Sequence, residues 1–138
     1  MAYDNHNIFA RILRGELPCV RLYEDESTLA FLDIMPQAEG HTLVLPKEPA
    51  ETLLDLSPAA AAATIHTTQR LARAVRAAVG AEGLLISQFN GAAAGQTVPH
   101  VHFHIIPRWE GVGLKAHGGE RADPDQLELL AGRIIAAL

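Results

Sequence analysis

The sequence predicts an α+β domain with a mostly antiparallel five-stranded sheet, one long central helix and short terminal helices. Three observations carry that prediction. Short β-prone segments follow one another with turn residues between them, the pattern of strands joined as hairpins. A single extended helical pattern, over residues 58–79, interrupts the series. The chain has 138 residues, 49% of them hydrophobic and 20% charged, a balance that lets one domain spanning residues 1–138 bury its own core.

Taken in order, residues 7–13 read as a helix that stops at Gly15, with Asn5 and Asn7 as capping candidates beside His6. Residues 19–24 and 28–32 read as two strands around the turn Asp25-Glu26-Ser27. Residues 42–45, bounded by Gly40 and Pro46, make a third strand. Ser57-Pro58 then opens the long helix, and the alanines from Ala59 to Ala63 form its first turn rather than a low-complexity tract. Ile65, Thr68, Ala72, Val75 and Val79 share one face of it, and His66, Arg70 and Arg73 the other, so His66 is expected in solvent. Residues 83–89 and 100–106 are the fourth and fifth strands, and 124–138 a closing helix. His117, beside Gly118-Gly119, is expected in a loop.

Composition removes several classes of function. The net charge of -5, from 16 acidic and 11 basic residues with no basic run, makes long nucleic acid a poor partner. No apolar run reaches the roughly 18 residues of a membrane span. The start, Met1-Ala2-Tyr3-Asp4, lacks the layout of a secretory signal, and with a single cysteine, Cys19, a reducing cytoplasmic location is expected. Cys19 opens an apolar stretch and is read as a packing residue.

Chemistry concentrates in the last predicted strand. Residues at i, i+2 and i+4 share a strand face, so His100, His102 and His104 point to a surface or cleft while Val101, Phe103 and Ile105 point to the core. With seven histidines in the chain, chance produces such a triple on the order of once in 10⁴ starting positions. An ordinary exposed strand face would use Thr, Lys or Glu. A shared metal ion is the sharper alternative. Alternate strand residues, however, lie roughly 6.6 Å apart and the outer pair roughly 13 Å, whereas zinc needs its nitrogens at about 2.0 Å. A third ligand would have to come from His41, His6 or a carboxylate, and no Cys-x-x-Cys or His-Glu-x-x-His spacing is present.

The remaining reading is chemistry at a phosphate. A neutral imidazole is a nucleophile near pH 7, and neighbouring rings can hold phosphate oxygens or protonate a leaving group, with no cofactor and no metal. Asn90-Gly91 and Gly95-Gln96-Thr97 precede the triple and offer amide and hydroxyl donors on a loop able to wrap an anion.

At these residues the chain resembles the histidine triad (HIT) superfamily. Its signature, three histidines alternating with apolar residues, stands here as His100-Val101-His102-Phe103-His104-Ile105-Ile106. The similarity runs through Ile8-Phe9 with Ile12-Leu13, Gly15-Glu16-Leu17-Pro18, Tyr23-Glu24-Asp25, Leu29-Ala30-Phe31-Leu32-Asp33-Ile34, Pro36-Gln37 and His41-Thr42-Leu43-Val44-Leu45-Pro46-Lys47. The layout is similar to the histidine triad nucleotide-binding branch in its bacterial form, more than to diadenosine polyphosphate hydrolases or uridylyltransferases.

The resemblance implies a HIT-like fold and a purine nucleotide site. It implies His102 as nucleophile, His104 and His41 near the phosphate, and His100 orienting the array. Thr97 falls where the family usually has a serine that contacts phosphate or leaving group. Asp33 matches the carboxylate that binds ribose hydroxyls, Asn90 an amide lining the same site, and Gly95 and Gln96 belong to the phosphate approach. Ile8, Phe9, Phe31, Ile34 and Leu43 fall at positions resembling the purine pocket. Some bacterial members carry Cys-Ile-Phe-Cys and bind structural zinc, where this chain has Asn7 and Ala10. The segment Arg108-Trp109-Glu110-Gly111, then Gly113-Leu114, is closer to a bacterial tail than to a eukaryotic one. Homodimerisation is usual in the family. The implied reaction is hydrolysis of purine nucleoside 5′-phosphoramidates or acyl-nucleotides through a nucleotidyl-His102, releasing AMP or GMP. The alternatives are a dinucleoside polyphosphate hydrolase or nucleotidyl transferase, and a nucleotide-binding regulatory protein with incidental activity.

Overall fold

Asp25 closes the predicted hairpin by folding its carboxylate over the turn, where Oδ1 accepts from the backbone N–H of Ser27 and of Thr28. The strands on either side are β1 (Val20–Glu24) and β2 (Thr28–Leu32). They form part of a computed structural model that describes residues 2–116 and 118–138, so His117 lies outside the described residues. Before them stands α1 (Ile8–Leu13), capped by Asn7, whose Oδ1 accepts from Ala10 N. After them come β3 (Thr42–Pro46), α2 (Pro58–Val79), β4 (Gly83–Ser87), β5 (Phe103–Arg108) and α3 (Pro124–Ala136). Short 3-10 turns occupy Leu53–Asp55 and Ala92–Ala94. α2 runs over the span read from the sequence, with Ser57 as N-cap, Pro58 at its first position and Gly80 as a left-handed C-cap.

The sheet has five strands in the order β1-β2-β3-β5-β4, and every neighbouring pair is antiparallel. Its two faces are covered differently. Ala30, Leu32, Val44 and Ile105 pack against Leu71 and Val75 of α2 and against Leu127, Leu130 and Ile134 of α3. On the reverse, Leu29, Phe31, Leu43 and Leu45 pack against Phe9 of α1. This two-sided cover explains why β2 and β3 are buried along their whole length and read as continuous apolar runs.

Two expectations change in detail. On α2 the buried set is Thr64, Thr67, Thr68, Leu71, Ala72, Ala74 and Val75, whereas Ile65 is exposed. Ile65 lies to the side of that stripe, in a shallow recess with Leu84 and Ile86 of the edge strand β4. β5, in turn, begins at Phe103 rather than at residue 100, because the chain bends through Val98, Pro99 and His100. The amide of His100 turns back to Val98 O and that of Val101 reaches Ala50 O, so neither enters the ladder. Val101 accordingly packs with Ala50 and Leu56 beyond the sheet.

Gly40 holds the entry to β3. Its φ of 91° is a left-handed conformation, and an added Cβ would sit 3.2 Å from Pro107 and 3.3 Å from Val79. The turn before His41 is thereby pressed against β5 and α2.

Leu71 is fully enclosed between sheet and helices, so Leu71→Ala is expected to lower the unfolding free energy by about 2–5 kcal/mol, measured by urea denaturation.

Candidate active site

Antiparallel register brings the distant histidines together. Leu43 of β3 pairs with His104 of β5, so His104 stands on the α1 face of the sheet beside Leu43 and Phe31. His41, immediately before β3, meets it across the pair, with His41 Nε2 2.9 Å from His104 Nδ1. The Gln37 backbone N–H donates to His41 Nδ1 at 3.1 Å. Nδ1 is therefore an acceptor and Nε2 carries the proton, which makes His104 Nδ1 the next acceptor and places the His104 proton on Nε2. Asp33 Oδ2 lies 3.7 Å from His41 Nε2, and its Oδ1 accepts from Met35 N at 2.8 Å.

A second chain of bonds sets the other two imidazoles. His102 Nδ1 is 2.7 Å from the carbonyl oxygen of His100. A carbonyl only accepts, so Nδ1 bears the proton and the neutral ring carries its lone pair on Nε2. His100 Nε2 is 2.8 Å from Pro46 O, which assigns its proton in the same way and leaves Nδ1 to accept from the Tyr3 hydroxyl. Burial lowers the pKa of His100, opposed by the bond to Pro46 O. The rings of His102 and His104 lie 4.9 Å apart by centroid, and Phe9 meets His102 edge to face at 4.8 Å.

His102 and His104 form part of the wall of a cavity of about 250 Å³. The apolar residues expected at the purine pocket, Ile8, Phe9, Phe31, Ile34 and Leu43, all line it. So do Asp33 and Thr97. His41 and His100 do not, being fully enclosed behind His104 and His102 respectively. Of the surface-or-cleft alternatives for the triple, His102 and His104 thus take the cleft. Gly95, Gln96 and Asn90 also stand outside the wall. The Gln96 side chain braces the approach loop, accepting from Gly91 N and donating to Glu51 O and Val98 O. Asn90 Oδ1 accepts from Leu53 N, and its amide pairs with Gln88. Gly95, with φ 102°, terminates the 3-10 turn before Thr97.

The sequence reading missed several wall residues. Ile12 follows Ile8 by one helical turn, a spacing that could have placed it. Cys19, assigned to packing, shares the wall with Pro18, and burial raises its thiol pKa so that it stays protonated. Tyr3 and Gln37 gave no signal, since the contacts that matter are to a distant ring and from a backbone amide.

The residues at the position of the zinc-binding cysteines do not fit a metal. Asn7 is 6% exposed and caps α1 through Oδ1, while its Nδ2 donates to the Tyr3 hydroxyl and Asp4 O. Ala10 offers no ligand. Among the described residues no group of three His, Cys, Asp or Glu side chains is arranged to hold a metal ion.

Residues 14–111 match the HIT domain family. The chain belongs to the histidine triad family. A Hit-like protein from Bartonella henselae, whose crystal structure is known, is 48% identical and superposes with a TM-score of 0.94, the alignment covering all of both chains. The adenosine 5′-monophosphoramidase hnt1 of Schizosaccharomyces pombe is 46% identical over 73% of this chain and 73% of its own. The adenylylsulfatase HINT3 of Arabidopsis thaliana is 37% identical over 98% of this chain and 68% of its own. This HIT chain therefore has the α+β architecture read from its sequence, with the family's histidine motif at the rim of β5.

Burial makes protonation of His100 harder in the folded protein than in the unfolded chain, whose ordinary value is 6.5. The unfolded state then binds more protons as pH falls below that value, so the contribution of His100 to stability is full above it and is lost on acidification. Glu24 and Glu48, whose pKa values are lowered by their hydrogen bonds, act in the same direction only below about 4.5. Urea unfolding between pH 7.5 and 5 is expected to show stability declining with acid, with a shallower slope in His100→Asn.

Proposed function

We propose that the chain hydrolyses purine nucleoside 5′-phosphoramidates or acyl-nucleotides and releases AMP or GMP through a covalent intermediate on His102. The observation that carries this reading is the bond from His102 Nδ1 to His100 O, which assigns the lone pair to Nε2 in a ring at the cavity wall. The names of two relatives, an adenosine 5′-monophosphoramidase and an adenylylsulfatase, support the nucleotide hydrolase class, the first a P–N bond and the second an anhydride to an acid. In this reading the base enters between Ile8, Phe9 and Leu43, and the Asp33 carboxylate accepts from the ribose hydroxyls.

His102 Nε2 attacks phosphorus, a bond from Nε2 to phosphorus forms, and the bond to the leaving nitrogen or acyl oxygen breaks. His104, whose proton sits on Nε2, donates a hydrogen bond to a phosphoryl oxygen and stabilises the charge developing there. It is not the source of the leaving group's proton. Its Nδ1 already accepts from His41, whose Nδ1 in turn accepts from Gln37 N, so loss of the Nε2 proton would leave an unsupported imidazolate. The leaving nitrogen instead takes its proton from solvent, with the exposed Thr97 hydroxyl at the cavity mouth to pass it. Water then attacks phosphorus and gives up a proton to solvent, the bond to His102 breaks, and the lone pair returns to Nε2.

We also propose a homodimer built on the free edge of β4. Ile65, Leu85 and Ile86 are each more than 40% exposed there, beside an edge strand whose second side has no neighbour in the sheet among the described residues. Ile86→Lys is expected to convert the protein to a monomer by light scattering with size-exclusion chromatography.

The function is tested by turnover of an adenosine 5′-phosphoramidate in the presence of chelator. Wild-type activity is expected to survive chelation. His102→Ala is expected to lose at least about 10⁴-fold, the scale of removing a nucleophile, and the wild type to yield an adenylyl adduct at residue 102 on rapid acid quench. A clear preference for diadenosine polyphosphates over phosphoramidates would shift the substrate class. AMP binding without turnover or adduct would leave a nucleotide-binding regulatory protein.

A further inference from the structure

His100 does not line the cavity, yet its main-chain carbonyl is the acceptor that sets the His102 tautomer. Its ring is fully enclosed, so each ring nitrogen needs a protein partner. Nε2–H donates to Pro46 O, which leaves Nδ1 as an acceptor requiring a donor. That donor is the Tyr3 hydroxyl, 97 residues away in sequence. Tyr3 is itself aimed by Asn7, whose Nδ2 donates to its oxygen at 2.9 Å and so directs the phenolic proton onward to His100. The Tyr3 and His100 rings also meet edge to face, 5.6 Å between centroids. The charged groups nearest in effect on the Tyr3 hydroxyl are Arg14 and Asp4.

We propose that Tyr3 is a positioning residue for the reaction, acting through a directed chain from Asn7 Nδ2 to Tyr3 Oη to His100 Nδ1. The chain holds His100 as the Nε2–H tautomer and holds its carbonyl in line with His102 Nδ1. Asn7 Nδ2 gives one proton to Tyr3 Oη and the other to Asp4 O, so the direction of each bond in the chain is determined by its fixed ends, an amide N–H at Asn7 and a carbonyl at Pro46. The Tyr3 hydroxyl, with the Tyr3 ring, also fastens the segment ahead of α1 to the histidine segment. The consequence for catalysis rests on the role proposed above for His102, whereas the tautomer and protonation of His100 do not.

Two variants separate positioning from mere packing. Tyr3→Phe keeps the ring and deletes the donor. Asn7→Asp keeps the N-cap acceptor of α1 and replaces the N–H with a carboxylate, which takes the Tyr3 proton for itself and turns the phenolic oxygen's lone pair toward His100. In ¹⁵N-edited NMR the wild-type His100 is expected as the neutral Nε2–H form. Asn7→Asp is expected to raise its pKa at some cost in thermal stability, because the carboxylate also faces Asp4 O where the amide donated, and Tyr3→Phe to remove the single-tautomer signature. With an adenosine phosphoramidate, both variants are expected to lose about 10-fold in kcat, the scale of one buried hydrogen bond, with KM little changed. Unaltered His100 signals in Asn7→Asp, or unaltered kcat in a variant that has lost stability, would overturn the proposal. If Tyr3→Phe fails to fold, Asn7→Asp decides. If the wild type itself turns nothing over, the reaction proposed above falls and the NMR arm still decides the Tyr3 chain.

Discussion

Two residues apart in the chain, the His102 ring nitrogen and the His100 carbonyl make a bond that determines where a lone pair sits. A histidine free to rotate would share its proton between two nitrogens, and the nucleophile proposed here would lose reactivity in proportion to its time as the wrong tautomer. Here the acceptor is main chain. Its position depends on the bend at Val98-Pro99-His100, on the Val101 amide reaching Ala50 O, and on the enclosure of the His100 ring. Much of the loop architecture outside the sheet serves that one placement. Gln96 braces the approach from three sides, and Leu56 with Ala50 seats Val101.

The second histidine pair is governed by a different device. His41 and His104 meet because β3 and β5 are adjacent in the sheet, so ordinary ladder register performs the alignment. A slip of one residue would send His104 to the α2 face among Val44 and Ile105. Continuous apolar cover on both faces makes such a slip costly, since it would exchange an imidazole for a core isoleucine. Gly40 adds a local lock, being packed so closely on Pro107 and Val79 that the turn into His41 has little room to move.

Much of this is legible in the sequence. The alternation of histidine with apolar residues marked the candidate site, and Ser57-Pro58 marked the start of α2. The five apolar positions at the cavity followed from resemblance rather than from pattern, because a side chain in a pocket and one in a core look alike in a sequence. Three things were not legible. The start of β5 depends on tertiary partners for the His100 and Val101 amides. The displacement of Ile65 from the buried stripe depends on where the sheet edge lies. The tautomers depend on Gln37, Pro46 and Tyr3, none of which has a residue type or spacing that reports a hydrogen bond to an imidazole.

The strand order has a temporal meaning as well as a spatial one. β3 takes β5 as its neighbour, while the whole of α2 and β4 intervene in the chain, and the contact between His41 and His104 closes a separation of 63 residues. Local structure such as the β1–β2 hairpin or α2 forms from contacts near in sequence, whereas this closure carries the loop entropy of a long intervening segment. The histidines can therefore assemble only when β5 has docked beside β3, so a chain emerging from the ribosome holds no paired His41 and His104 until β5 has been released.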